Sequence, residues 1–215
     1  MSEAVKNRLR KIKSQALNLS PCRGIVEPML PAPTSDKAKK MMLVLDIDET
    51  LVHASFTPDA HYDTKVTITV GGETGHIYVA YRPHLKTFLA AVAPLFEIAV
   101  FTASQSCYAS QLMDTIDPQR KLGSHRLFRE HCTEVNGARV KDLSLLGRPL
   151  ERMVIIDNSP VAYLFQPRNA IPILSWFDDP NDTELLKLIP MLKQLANEPK
   201  VYDLLDDYNA GAITF

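Results

Sequence analysis

No charge of one sign dominates this chain of 215 residues, where 24 Lys and Arg face 25 Asp and Glu for a formal net charge of -1. That excludes a molecule-wide field that would recruit nucleic acid or membrane, so direct nucleic-acid binding is not expected and any partner must be recognised locally. Cysteine is scarce as well. Cys22, Cys107 and Cys132 are an odd number without C-x-x-C spacing, which argues against a zinc knuckle and a secreted disulfide framework and favours a reducing compartment. No run of about eighteen apolar residues occurs, and Met1 to Ser20 lacks the apolar stretch of a secretory signal. The expectation is a soluble, intracellular protein of the nucleus or cytoplasm. Internal repeats are absent.

What is present supports one sizeable core: 46% of the residues are apolar and 23% charged. Val5, Leu9, Ile12 and Ala16 recur at helical spacing among Lys6, Arg8, Arg10, Lys11 and Lys13, so residues 1–19 read as a basic amphipathic helix. It could touch a membrane, RNA or an acidic partner, or serve as a tail docked on its own domain. Pro21, Pro28, Pro31 and Pro33 make 20–38 a linker and not a packed element. The remainder divides into a main domain over 39–207 and a tail over 208–215.

Within the main domain, short apolar runs alternate with helical segments, the pattern of an α/β fold with a mostly parallel sheet. Met42 to Ile47, Phe96 to Phe101 and Met153 to Ile156 are continuous enough to be strands buried on both faces. Gly71-Gly72 between Val66 to Val70 and His76 to Tyr81 predicts a small β-hairpin insertion. Helices are expected over Pro83 to Ala93, Gln105 to Ile116 and Thr183 to Ala196, the last capped by Asn181 or Asp182 with Glu184 in a capping box.

The carboxyl ends of the three strands carry polar groups: Asp46-Ile47-Asp48-Glu49-Thr50, Thr102-Ala103-Ser104 and Asp157-Asn158-Ser159. Ligands of open α/β sheets bind at such ends. Asp46 and Asp48 are two apart, so in an extended segment both carboxyls lie on one side. One carboxylate can attack phosphorus and form an acyl phosphate; a second can protonate the leaving oxygen and then deprotonate water. Lys141, Thr102 and backbone amides beyond Asp46 can clamp the phosphoryl oxygens. A hard cation such as Mg²⁺ fits Asp carboxylates, backbone carbonyls and an Asn amide, with waters completing the shell.

The segments LVLDIDETLVH (43–53), VFTAS (100–104), VKDLSLLG (140–147) and IIDNSP (155–160) resemble the four haloacid-dehalogenase motifs. More narrowly, the chain is similar to the small phosphatases of the RNA polymerase II C-terminal domain and their Dullard-type relatives over about 41–202, including Tyr81-Arg82-Pro83-His84, Leu127-Phe128-Arg129-Glu130 and Ser175-Trp176-Phe177-Asp178. The resemblance implies a Rossmann-like haloacid-dehalogenase fold and a phosphorylated protein or peptide as substrate. It implies Asp46 as nucleophile, Asp48 as acid/base, Thr102 and Lys141 as phosphate ligands, and Asp157 as the group orienting the lysine. Mg²⁺ would be held by Asp46, the Asp48 carbonyl and Asn158. Arg129 and Tyr108 fall where the family contacts substrate, and Thr50 and Ser104 of the motifs join them. Phe56, Ile68, Val70 and Ile77 would rebuild an apolar pocket for a substrate proline, with Gln105 making it partly polar and the polymerase-tail substrate doubtful. No membrane segment precedes the core and no length remains for a BRCT domain, so a free-standing catalytic domain is expected.

Other residues read more plainly. His53 suits a hydrogen-bonded core position, and Cys107 a packing position. Trp176 and Phe177 read as a strand end sealing the core, His61, Tyr62 and Asp63 as a loop, and Lys86, Lys121, Arg126 and Arg148 as solvated surface. The leading function is a Ser/Thr protein phosphatase. A phosphatase of a small metabolite or nucleic-acid end would call for a larger closing cap, and a weak phosphopeptide-binding adaptor would be expected to have lost Asp46 or Asp48.

Overall fold

The structure, a computed structural model, describes residues 27–214 apart from 59, 60 and 124, with the Val70 side chain left out. The basic helix expected over 1–19 and Cys22 lie outside the described residues. A five-stranded parallel sheet forms the centre, in the order β10(Ala170–Pro172), β9(Met153–Asp157), β1(Met42–Leu45), β5(Glu97–Phe101), β6(His125–Leu127). Strand β1 is the middle one, and the chain turns to opposite sides of it for β5 and β9. Its carboxyl end is therefore the crevice where open α/β sheets bind ligands. The expected Rossmann-like, mostly parallel arrangement is what the chain adopts.

Alternate side chains of the buried strands serve two cores. Leu43, Leu45, Ile98, Val100, Val154 and Ile156 face one cluster, which takes in residues of the four α-helices among the described residues: α1(Leu85–Val92), α2(Ser106–Ile116), α3(Glu184–Leu195) and α4(Tyr202–Asn209). Met42, Val44, Ala99, Phe101, Met153 and Ile155 face the other, closed by Leu143, Leu146, Ala162 and Tyr163 on short turns. Leu30 joins this second core at 5% exposure, and the Met29 amide donates to the Leu145 carbonyl at 2.8 Å. Within the described part of the proline-rich stretch, read as a linker and not a packed element, Met29 and Leu30 therefore touch the domain while most of 31–38 is exposed.

The insertion between β1 and α1 is larger than a hairpin. It is a three-stranded antiparallel sheet in the order β2(Val52–Ser55), β4(Glu73–Tyr81), β3(Thr64–Val70). Gly71 and Gly72 form the expected two-residue turn, with φ of 62° and 87°, the left-handed pair that matches strand twist. A second hairpin, β7(Thr133–Val135) and β8(Ala138–Val140), was not anticipated, although its Asn136-Gly137 turn is a strong short-range signal. It delivers Lys141.

Two arginines read as solvated surface are half-buried instead, with side chains only 7% and 8% exposed for Arg148 and Arg126. Arg148 donates from Nε and Nη2 to Glu97 at 2.8 Å each, because Glu97 at the start of β5 is 1% exposed and needs a countercharge. Arg126 on edge strand β6 donates to Asp114 at 2.7 Å and to the Ser110 carbonyl at 3.2 Å, which draws it against α2. Cys107, expected to pack, is exposed on α2.

Candidate active site

Four chain segments converge at the carboxyl ends of β1, β5 and β9. A cavity of about 320 Å³ is lined there by Asp46, Asp48, Thr102, Ser104, Arg129, Lys141, Asp157 and Asn158, together with Glu49 and Arg139. Asp46 is 6% exposed and Lys141 2%. The Lys141 ammonium donates to Asp46 Oδ1 at 2.5 Å and to Asp157 Oδ2 at 2.6 Å. Burial disfavours the ammonium, yet the Asp46 and Asp157 charges outweigh that and hold Lys141 above its usual pKa. Asp157 is raised by its own burial, with Lys141 opposing the rise and Asp46 adding to it. The lysine therefore stays charged between two carboxyl groups, one on each neighbouring strand.

The other Asp46 oxygen, Oδ2, accepts from Thr50 Oγ1 at 2.6 Å. Thr50 is fully buried, so it orients Asp46 from below and does not face the cavity. Asp48 sits in a ring of hydroxyls: Ser104 Oγ donates to Oδ2 at 2.7 Å, Thr102 Oγ1 to Oδ2 at 3.2 Å, and Tyr108 OH to Oδ1 at 3.1 Å. Burial pushes the Asp48 carboxyl up against the Ser104 hydrogen bond, with the Asp46 charge reinforcing the rise. Tyr108, expected along the substrate groove, is 7% exposed. Its phenol is raised by burial and by the Asp48 charge, which fixes it as a donor behind Asp48.

Arg129 is anchored at the rim, its Nε donating to the Ala103 carbonyl at 2.7 Å. Phe56 is not brought to the cavity; it stands 80% exposed on the insertion. Ile77 is 6% exposed in the first core and Ile68 packs partly against it, so the strand alternation that serves the core takes both away from an open proline pocket. Gln105 is exposed, with the Cys107 thiol 3.7 Å away.

The oxygen donors fit a hard cation. Among the described residues no three His, Cys, Asp or Glu are grouped to hold a metal by themselves. Asp46 Oδ2 and Asn158 Oδ1 nevertheless lie on the same Thr50 hydroxyl, at 2.6 and 3.4 Å. Asn158 Nδ2 donates to Ser175 Oγ at 2.9 Å, which turns the amide oxygen inward. Asp46, Asp48, Glu49 and Asp157 outnumber Arg129, Arg139 and Lys141 around the cavity, so an anionic ligand would be opposed without an added cation. Magnesium suits this set because it takes one or two carboxylates and keeps several waters.

Three contributors were missed from sequence. Arg82 is 1% exposed and donates to both Asp182 oxygens at 2.8 Å and to the Thr50 carbonyl at 3.0 Å, bracing the loop after β1 against the start of α3. Glu49 holds φ of 56°, a strained value stabilised by its amide on Val52 O at 2.7 Å and its carbonyl on the Trp176 amide at 2.8 Å. Arg139 enters from β8, paired with Glu134 at 2.8 Å. Arg82 and Glu49 stood in segments already singled out, and only Arg139 did not.

The family profile described as NLI interacting factor-like phosphatase matches residues 41–203. The chain belongs to that family. It is 46% identical over 177 residues to the human CTD small phosphatase-like protein, covering 82% of this chain and 64% of that one. A probable C-terminal domain small phosphatase of Dictyostelium discoideum is 48% identical over 183 residues, covering 85% and 58%. A Caenorhabditis elegans CTD small phosphatase-like protein 1 is 46% identical over 178 residues, covering 83% and 36%. The chain thus spans between about a third and two thirds of the length of these relatives. Among solved structures, Fcp1, an essential RNA polymerase II CTD phosphatase, superposes with a TM-score of 0.63 at 18% identity, covering 81% of this chain and 66% of that one. That likeness is one of fold. In family terms the cavity described above is the one built from all four motif segments.

Proposed function

We propose that this protein is a Mg²⁺-dependent phosphatase of phosphoserine and phosphothreonine in proteins, acting through an aspartyl-phosphate on Asp46. The observation that carries the reading is the pairing of a lysine-clamped carboxylate, Asp46, with a second carboxyl two residues on whose pKa burial raises. Asp46 attacks phosphorus, and its new O–P bond forms as the bond to the seryl or threonyl oxygen breaks. Asp48, kept protonated more readily than an ordinary carboxyl, gives its proton to that leaving oxygen. Water then attacks the acyl phosphate, its proton passes to Asp48, and phosphate leaves with Asp46 restored. Lys141 offsets charge on the transferring group, and the Thr102 and Ser104 hydroxyls orient Asp48. Mg²⁺, held by Asp46, the Asp48 carbonyl and Asn158, would neutralise phosphoryl oxygens. Tyr108 positions Asp48 from behind, and Arg129 meets the substrate at the rim.

The name of the human relative and the family profile support a phosphatase, and the insertion of only three strands supports a polypeptide substrate over a small metabolite or a nucleic-acid end. Among the described residues no helix is long and apolar enough to cross a membrane. The test is hydrolysis of p-nitrophenyl phosphate and of phosphoserine peptides, with and without Mg²⁺, by wild type and Asp46→Asn. Turnover that needs Mg²⁺ and vanishes in Asp46→Asn is expected. Turnover that survives the substitution would remove Asp46 as nucleophile, and phosphopeptide binding without turnover would favour an adaptor.

A further inference from the structure

A second cavity, of about 340 Å³, lies on the far side of Glu49 from the catalytic one. Its walls come from the insertion and from the segment after β10: His61, Tyr62, Tyr78, Trp176, Phe177 and Asp178, with His53 and Ser55 at the back. Tyr62 packs edge-on against Tyr78 with ring centroids 5.0 Å apart, and Phe177 edge-on against His53 at 5.3 Å. The Trp176 indole N–H is already committed to the Asp179 carbonyl at 2.8 Å and Trp176 is 5% exposed, so the aromatic surface open to a ligand is chiefly that of Tyr62 and Phe177. Tyr62 and Phe177 are about half exposed, at 46% and 53%, which is unusual for large aromatics that could have packed inward.

The charge of this cavity has one sign. Asp178 is exposed at its edge, and no Lys or Arg lines it. Asp63 lies behind the loop, 3.6 Å from His61 and accepting the Tyr81 amide at 2.6 Å. Aromatic faces beside a carboxylate attract a cation by their quadrupoles and by charge, and a planar guanidinium can stack and pair at once. The cavity also adjoins the catalytic one through a single residue. Glu49 lines the catalytic cavity, its Oε1 lies 3.3 Å from His53 Nδ1, and its carbonyl accepts the Trp176 amide at 2.8 Å. A chain whose phosphorylated residue sits over Asp46 can therefore place a nearby side chain across that wall.

We propose that this aromatic and acidic cavity binds an arginine of the phosphoprotein substrate, close in sequence to the phosphorylated residue, and so sets substrate choice. The proposal rests on the phosphatase reading for its biological use, but the cavity can be tested apart from it. An alanine-based phosphoserine peptide carries one arginine, moved from five residues before the phosphoserine to five after, and is assayed with Mg²⁺ against wild type, Tyr62→Ala and Asp178→Asn. Arginine at one or two adjacent positions is expected to raise kcat/KM on the order of tenfold over alanine. Lysine should give less and norleucine nothing. Both variants should lose most of the gain while hydrolysing p-nitrophenyl phosphate like wild type. A flat arginine scan, a gain kept in both variants, or an equal gain from norleucine overturns the proposal.

Should wild type hydrolyse nothing, the phosphatase reading fails and the cavity is judged by binding. Trp176 is the chain's single tryptophan, so its emission reports this site. A saturable change with the best arginine peptide, absent with its norleucine counterpart, supports the site; no change with any arginine peptide of the series sinks it.

Discussion

Substituting Met for Lys141 removes an ammonium that is 2% exposed and lies 2.5 Å from Asp46 and 2.6 Å from Asp157. Methionine fills similar space, so the perturbation is chiefly one of charge. Two carboxyl groups are left facing each other. Burial already raises Asp157 and Lys141 opposes that rise, so loss of the lysine lifts Asp157 further. A carboxyl whose folded pKa exceeds its unfolded value, here 3.8, costs stability as pH climbs past the unfolded value, and the loss is complete once pH exceeds the folded one. Each unit of separation costs ~1.4 kcal/mol, and breaking a buried ion pair by removing one partner generally costs ~3 to 5 kcal/mol. The variant should therefore match wild type to within about 1 kcal/mol near pH 4 and fall ~3 to 5 kcal/mol below it by about pH 8. In a domain of this size that is a loss of about 6 to 20 °C in Tm at the higher pH. Urea unfolding from about pH 4 to 8, in chelator so that no cation occupies the site, measures it. Adding Asp157→Asn should restore part of the deficit at high pH. A deficit equal at every pH would refute the assignment of Lys141 as a charge held by these two carboxyls.

Two further outcomes are expected. In Tyr108→Phe, Asp48 loses a hydrogen bond that favours its charged form, so the limb of the pH–rate profile governed by Asp48 should move to higher pH, with kcat/KM down ~3- to 10-fold; an unmoved limb would leave Tyr108 as packing only. Burial raises Glu97, but the Arg148 hydrogen bonds prevail and its pKa ends lowered, so its contribution is present above the unfolded value of 4.5 and lost as pH falls through the folded value. Glu97→Gln should cost ~3 kcal/mol in urea unfolding at neutral pH and progressively less in acid; a pH-independent cost would contradict the ion-pair origin.

The parallel sheet and the polar groups at its edge were legible in the pattern of residues alone. Apolar runs such as Met42 to Leu45 and Met153 to Ile156 can be buried on both faces only in a covered parallel sheet, and Asp46, Asp48, Thr102, Asp157 and Asn158 follow such runs directly, so strand direction alone brings them together. The glycine pair at 71 and 72 likewise fixed its turn by backbone geometry. Tertiary structure decided what depends on partners distant along the chain. Tyr108 looks like any amphipathic tyrosine until α2 packs it behind Asp48. Arg148 reads as surface until Glu97 is seen buried beside it. His61 and Tyr62 belong to a loop of the insertion, and Trp176 to the segment after β10, more than a hundred residues away. They line one cavity only because the Trp176 amide pairs with the Glu49 carbonyl and brings that segment against the insertion. Local spacing encodes hydrogen bonding and periodicity within an element; which charges are desolvated, and which aromatic faces remain open, is set by contacts between elements.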